Sequence, residues 1–230
     1  MKRNRLVKTR RTAAFACALL IFAAGGSLAE GAEAIGGRMT VMAYSDCIGP
    51  ALPLVYPSGG MAVPLMLQAD YQKTICVYDG EPRSVASSGC GAVCLSMALI
   101  YLTGDAALTP DVIFRQACLD GYYKGNGLGC AALSDIMKAH GFGARWTGRF
   151  YNTIIAALAA GYPVIASMGA GWFTGGGHYI LLRGLAEDGQ VLVNDPGSAA
   201  NSARGFEMRF IFRQAKGGSP FMVCTPPEAR

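Results

Sequence analysis

From Ala92 to Leu102 every position but Ser96 is apolar. A helix made of such a run has no polar stripe to offer water, so the pattern predicts a buried helix, ended by Gly104 just past its last turn. The residues before it, Ser87-Ser88-Gly89, are small and polar, and they put Cys90 at the helix N-terminus. Further on, Thr109-Pro110-Asp111 combines an N-cap threonine, a proline at the first helical position and an acid in the first turn, which predicts a second helix to about Leu119. A glycine-rich loop with Tyr122, Tyr123 and Asn126 follows. Two more helices are predicted over 131–140 and 152–160, stopped by Gly141 and Gly161.

The character of the chain then changes. Residues 162–168 form a β-type run, and 169–177 a glycine-rich loop carrying Trp172, read as a flexible flap. Next come 178–185 and 190–194, the two strands of a hairpin turning at Ala186-Glu187-Asp188-Gly189. Residues 206–212 read as a last clear strand and 61–67 as a short early one. The stretch Asp79-Gly80-Glu81-Pro82 reads as part of a loop that delivers the chain to Cys90. Helices first and an antiparallel sheet second is an α+β arrangement, here one domain over 61–230. Residues 30–60, rich in Gly, Ala and Pro without a sustained period, read as an irregular N-terminal segment or tether with Cys47 as its one anchor.

Residues 1–29 follow a third pattern. Lys2, Arg3, Arg5, Lys8, Arg10 and Arg11 precede an apolar stretch from Ala13 to Ala24, and Ser27-Leu28-Ala29 is a small-x-small cleavage site: a signal peptide. The apolar stretch is shorter than the roughly 20 residues a spanning helix needs, so no stable membrane span is expected after cleavage. The whole chain has 20 Lys plus Arg against 15 Asp plus Glu, but the six bases of the signal leave the remainder 14 against 15. The basic balance therefore belongs to the targeting segment, and nothing in the rest points to nucleic acid or an anionic membrane surface. The mature protein is expected to be secreted or associated with the cell envelope, and monomeric. Seven cysteines remain in it, namely 47, 76, 90, 94, 118, 130 and 224, and an odd count in an exported protein suggests pairs with one thiol left free. Sequence leaves the pairing open; Cys118 with Cys130 closes only the shortest loop.

The candidate chemistry starts at Cys90. A thiol at a helix N-terminus meets the positive end of the helix dipole and unpaired backbone N–H groups, which favour thiolate. Of the two histidines, His140 ends a helix, where capping explains it. His178 opens a strand whose hairpin partner ends at Asn194-Asp195-Pro196, so His178 and Asp195 are expected side by side. That supplies a nucleophile, a general base and an orienting acid. Each has an ordinary structural explanation alone, as a disulfide half, a strand histidine and a turn former. Jointly these do not explain why all three stand at element ends in this order.

The motifs Ser87-Ser88-Gly89-Cys90-Gly91, Tyr101-Leu102-Thr103-Gly104, Thr109-Pro110-Asp111, Gly161-Tyr162-Pro163-Val164-Ile165, Gly177-His178-Tyr179 and Val191-Leu192-Val193-Asn194-Asp195-Pro196 together resemble one family. It is the exported, stand-alone branch of the bacteriocin-processing, cysteine family thirty-nine-like peptidases within the papain-like superfamily, matched over about residues 65–212. The resemblance implies a papain-like fold and a peptidase working through a thioester acyl-enzyme on peptide or protein substrates. It also implies a Cys90, His178, Asp195 triad, with Gln68 donating to the oxyanion beside the Cys90 N–H and Gln72 as the alternative. It implies no cofactor and no metal. Cys94 departs from the family pattern, which has a small or hydroxylic residue there. A cell-wall amidase or endopeptidase using the same nucleophile, and a binding module with its chemistry unused, are the rival readings.

Overall fold

The computed structural model of the protein describes residues 32–227, so the signal segment expected at 1–29 lies outside the described residues. In chain order come β1 (Glu33–Ile35), β2 (Met39–Val41), the single turn α1 (Tyr44–Cys47), a 3-10 turn at Gln68–Asp70, β3 (Thr74–Tyr78), β4 (Glu81–Ser84) and α2 (Val85–Ser88). Three helices follow, α3 (Cys90–Thr103), α4 (Pro110–Leu119) and α5 (Cys130–Ala139), then β5 (Gly143–Thr147) and α6 (Tyr151–Ala159). The last part holds β6 (Val164–Met168), β7 (His178–Leu185), β8 (Val191–Asn194), α7 (Ala199–Ser202), β9 (Gly205–Phe206), α8 (Met208–Gln214) and β10 (Phe221–Thr225). The strands build two antiparallel sheets, ordered β1-β2-β3-β4 and β5-β10-β6-β7-β8-β9.

The helix α3 is the buried element its composition demands. Gly91 through Ile100 are all buried, and Gly104 closes it in the left-handed conformation at φ 75°. Its one interior polar side chain, Ser96, donates to the Leu108 carbonyl, so that hydroxyl is not stranded in the core. Helices α4 and α5 and strand β7 pack around it. The large sheet is covered on both faces. Ile165, Tyr179, Leu181, Met222 and Cys224 join the core around α3, whereas Val164, Ala166, Ile180, Leu182, Phe221 and Val223 join a second core with Ile154 of α6 and Ile211 of α8. Strands buried on both faces cannot alternate apolar with polar, which is why 164–168 and 179–182 read as unbroken apolar runs.

The α+β arrangement holds, with five differences in detail. The described part of that segment, 32–60, is no tether: β1 and β2 turn at Gly36-Gly37, and β2 pairs with β3 through Val41 opposite Cys76. Its ordering comes from α4, where buried Arg115 donates to the Met42 carbonyl at 3.1 Å and Asp111 accepts the Gly49 N–H at 3.1 Å. Residues 61–67 contribute only a bridge of Leu65 with Val55, since Pro64 lacks the N–H a ladder needs. The expected loop at Asp79-Gly80 is a tight hairpin, with φ 51° and 81° at those two residues. Of residues 206–212 only Phe206 is in a strand, as the end of β9, and Met208 onward is helical. Phe206, Met208, Phe210 and Phe212 alternate as a strand would, yet from Met208 on the buried positions are Met208, Ile211 and Ala215, the spacing of a helix laid on the sheet. Finally, β5 and β10 went unpredicted, although Phe221-Met222-Val223-Cys224-Thr225 between Pro220 and Pro226 is a bounded apolar run; β10 lies between β5 and β6.

Candidate active site

Cys90 is the first residue of α3 and is partly exposed to a cleft of about 690 Å³. Gly89 ahead of it is obligatory, because a Cβ there would lie 2.6 Å from the Val85 Cα of the preceding turn. The cleft is walled by the 126–130 loop, Ser167, Lys216 and the start of β7, where His178 and Tyr179 stand. Sequence places His178 and Asp195 at hairpin ends, but the register slips between Leu182 and Gly184, leaving Leu181 opposite Asn194. The two side chains still meet: His178 Nε2 donates to Asp195 Oδ1 at 2.8 Å, with the two side chains 9% and 1% exposed. The other ring nitrogen is left for Cys90, which lines the same cleft. Burial pulls the imidazole pKa down, but the bonded Asp195 carboxylate and the neighbouring Cys90 outweigh it and raise the value from 6.5 to about 9.

Asp195 is held from every side. Its Oδ1 also accepts the Gly197 N–H at 2.8 Å, its Oδ2 accepts Asn201 Nδ2 at 2.7 Å, and its own N–H donates to Ser202 Oγ at 2.8 Å. Asn201 and Ser202 lie on α7 and were absent from the sequence reading. Ser198, which caps that turn by accepting the Asn201 N–H at 3.1 Å, was the available signal. Asn201 reaches further, since its Oδ1 accepts Trp172 Nε1–H at 3.1 Å, so a continuous chain of hydrogen bonds runs Trp172, Asn201, Asp195, His178. The loop carrying Trp172 is also fastened through Gln214, which accepts the Trp172 N–H at 2.8 Å.

Gln68 lies between the two halves of the site. Its N–H donates to the Pro196 carbonyl at 2.8 Å, and its amide Nε2 donates to the Ala86 carbonyl at 3.0 Å on the turn leading to Cys90. Its second amide hydrogen remains available. The neighbouring Asn194 holds this segment down by donating to the carbonyls of Val63 and Pro64. Gln72 is exposed and its amide donates to Ala69 within its own turn. His140 caps α5, donating from Nε2 to Gln116 Oε1 at 3.0 Å. Cys94 is fully buried one turn along from Cys90, and burial, assisted by the neighbouring charges, keeps its thiol well above the usual range. No cluster of three or more metal-ligating side chains occurs among the described residues. None of the seven described cysteines is bonded to another in this structure, and the two of the shortest loop lie apart: Cys118 faces Cys76 in the core, while Cys130 is exposed in the cleft beside the Tyr179 hydroxyl.

Residues 61–215 match the model of the Peptidase C39-like family. No curated protein sequence matches the chain. Among solved structures, it is similar to the peptidase domain of Streptococcus ComA, a bi-functional ABC transporter involved in a quorum sensing pathway, at 16% identity and a TM-score of 0.46, covering 60% of this chain and 91% of that one. It is also similar to a double glycine motif protease from an AMS/PCAT transporter solved with its leader peptide, at 17% identity and a TM-score of 0.46, covering 76% of this chain and 99% of that one.

Proposed function

Because the chain belongs to the Peptidase C39-like family, and is on that ground a cysteine peptidase, we propose that it is an exported enzyme hydrolysing peptide bonds through Cys90, His178 and Asp195. The observation that carries the assignment of roles is the 2.8 Å bond between buried His178 and Asp195, beside Cys90 at the start of a buried helix. An imidazole that stays protonated to about pH 9 is a stable counter-ion for a thiolate. The thiolate attacks the substrate carbonyl carbon, and the developing oxyanion takes hydrogen bonds from the Cys90 N–H and the free amide hydrogen of Gln68; one such donor is worth ~10²-fold or more in rate. His178 gives its proton to the departing amine, leaving a thioester on Cys90. It then takes a proton from the water that attacks the thioester, which frees the acid product and restores the thiolate beside the protonated imidazole. Asp195 keeps the ring oriented and stabilises its charge throughout.

Export is supported by the cationic, apolar and small-x-small order of residues 1–29. The test is turnover of a quenched-fluorescence peptide library and of purified cell-wall sacculi by the mature protein and by Cys90→Ala. Peptide cleavage lost in Cys90→Ala supports the reading, whereas activity equal in both proteins removes Cys90 from the chemistry. Release of stem peptides from sacculi with inertness toward the library replaces the peptidase reading with the cell-wall one.

A further inference from the structure

Two buried thiols outside the cleft face each other. Cys76, in the middle of β3, and Cys118, in the last turn of α4, are both 0% exposed, and their sulfurs are 3.4 Å apart. We propose that Cys76 and Cys118 form a structural disulfide that staples the N-terminal sheet to the helical layer. An S–S bond is about 2.0 Å long, so the sulfurs need to close by roughly 1.4 Å, a movement within reach of small χ1 adjustments in two side chains that already point at each other. The bridge joins residues 42 positions apart, and the loop it closes contains α3 with Cys90 at its head.

The third cysteine of this region is not the partner. The Cys47 sulfur faces the Met42 and Tyr44 carbonyls at 3.9 and 3.8 Å instead. Within the pair the Cys118 S–H donates to Cys76, which eases loss of the Cys76 proton. In the reaction two S–H bonds break and one S–S bond forms. Two electrons and two protons pass to a small-molecule or oxidoreductase disulfide of the compartment, which becomes its dithiol. Both sulfurs are sealed once the core closes, so oxidation occurs during folding, and the finished bridge is shielded from mild reductants. Cys90, standing in a separate place at the cleft, remains the thiol that chemistry needs.

The test uses the full-length protein, folded from denaturant in glutathione buffers of graded oxidised-to-reduced ratio. It is then blocked with N-ethylmaleimide in denaturant and mapped by mass spectrometry without reductant. The expected map has one linked peptide pair, Cys76 with Cys118, two hydrogens lighter than its parts, and Cys90 carrying the blocker. The oxidised protein is expected to melt roughly 10 °C above the reduced one, and Cys118→Ala to lose that redox dependence. Cys76 and Cys118 both blocked at every ratio, or Cys118 linked to Cys47, overturns the proposal. Should Cys118→Ala fail to fold, the map of the unsubstituted chain still decides. The Cys90→Ala protein is expected to carry the same bridge, so loss of the staple and failure of the peptidase reading are separable.

Discussion

Asp195 uses both carboxylate oxygens on named partners, and only one of those partners is the histidine. Replacing it with asparagine keeps the shape and removes the charge. Burial then dominates the imidazole, so the pKa of His178, about 9 in the native protein, falls toward 6.5 or below. The sign is fixed by the direction of the shift. A histidine raised in the folded state contributes its stabilisation fully below about pH 6.5 and loses it as the pH rises through 9. In Asp195→Asn the alkaline limb of the kcat/KM profile is therefore expected near neutrality instead of near pH 9, with turnover at pH 7 reduced on the order of 10²–10⁴-fold. An unmoved limb would show that another group sets it.

At the scale of elements, α7 is a single turn with one visible task. It brings Asn201 to Asp195 and Trp172, and Ser202 to the Asp195 backbone. Asn201→Ala removes one hydrogen bond to a buried carboxylate and cuts the Trp172 loop from the site. The expected result is a kcat lower by roughly 10-fold or more, from a bond to a charged group worth about 1.5–3 kcal/mol. Faster hydrogen exchange in residues 170–177 is expected alongside. Exchange unchanged in that loop would mean that Gln214 alone fastens it. The loop was legible from its glycines, and its anchors were not, because both Gln214 and Asn201 reach it from elements that come later in the chain. The same holds for α8, where the alternation of aromatics suggested a strand until its packing on the sheet selected the helical face.

For the whole molecule, the N-terminal segment is the test of how far one fold extends. Met39, Val41, Ala43 and Cys47 are buried against β3 and α4, and apolar side chains of this kind stabilise by roughly 1.5–3 kcal/mol each when large. Removing residues up to 48 also leaves β3 an open edge and takes the Met42 carbonyl away from buried Arg115. The loss rivals the ~5–15 kcal/mol that hold a domain together. A chain beginning at residue 49 is accordingly expected to show no cooperative melt by circular dichroism. A sharp transition at the parent temperature would restore the tether reading.

Local pattern alone determined the buried helix from Cys90, the helices that follow, the 178–194 hairpin and the identity of Cys90, His178 and Asp195 as the residues to watch. Each of those rests on chemistry carried by neighbours in sequence: an uninterrupted apolar run, a proline at a helix start, a glycine at a helix end. Tertiary structure decided the rest. That β10 enters the sheet between β5 and β6, that α4 orders residues 42–49, that Asn201 holds Asp195, that Gln68 rather than Gln72 lies between Pro196 and the Cys90 turn, and that Cys76 faces Cys118 are all pairings between distant segments. Hydrogen bonds and packing choose such partners by distance in space, and composition and spacing carry no record of that distance.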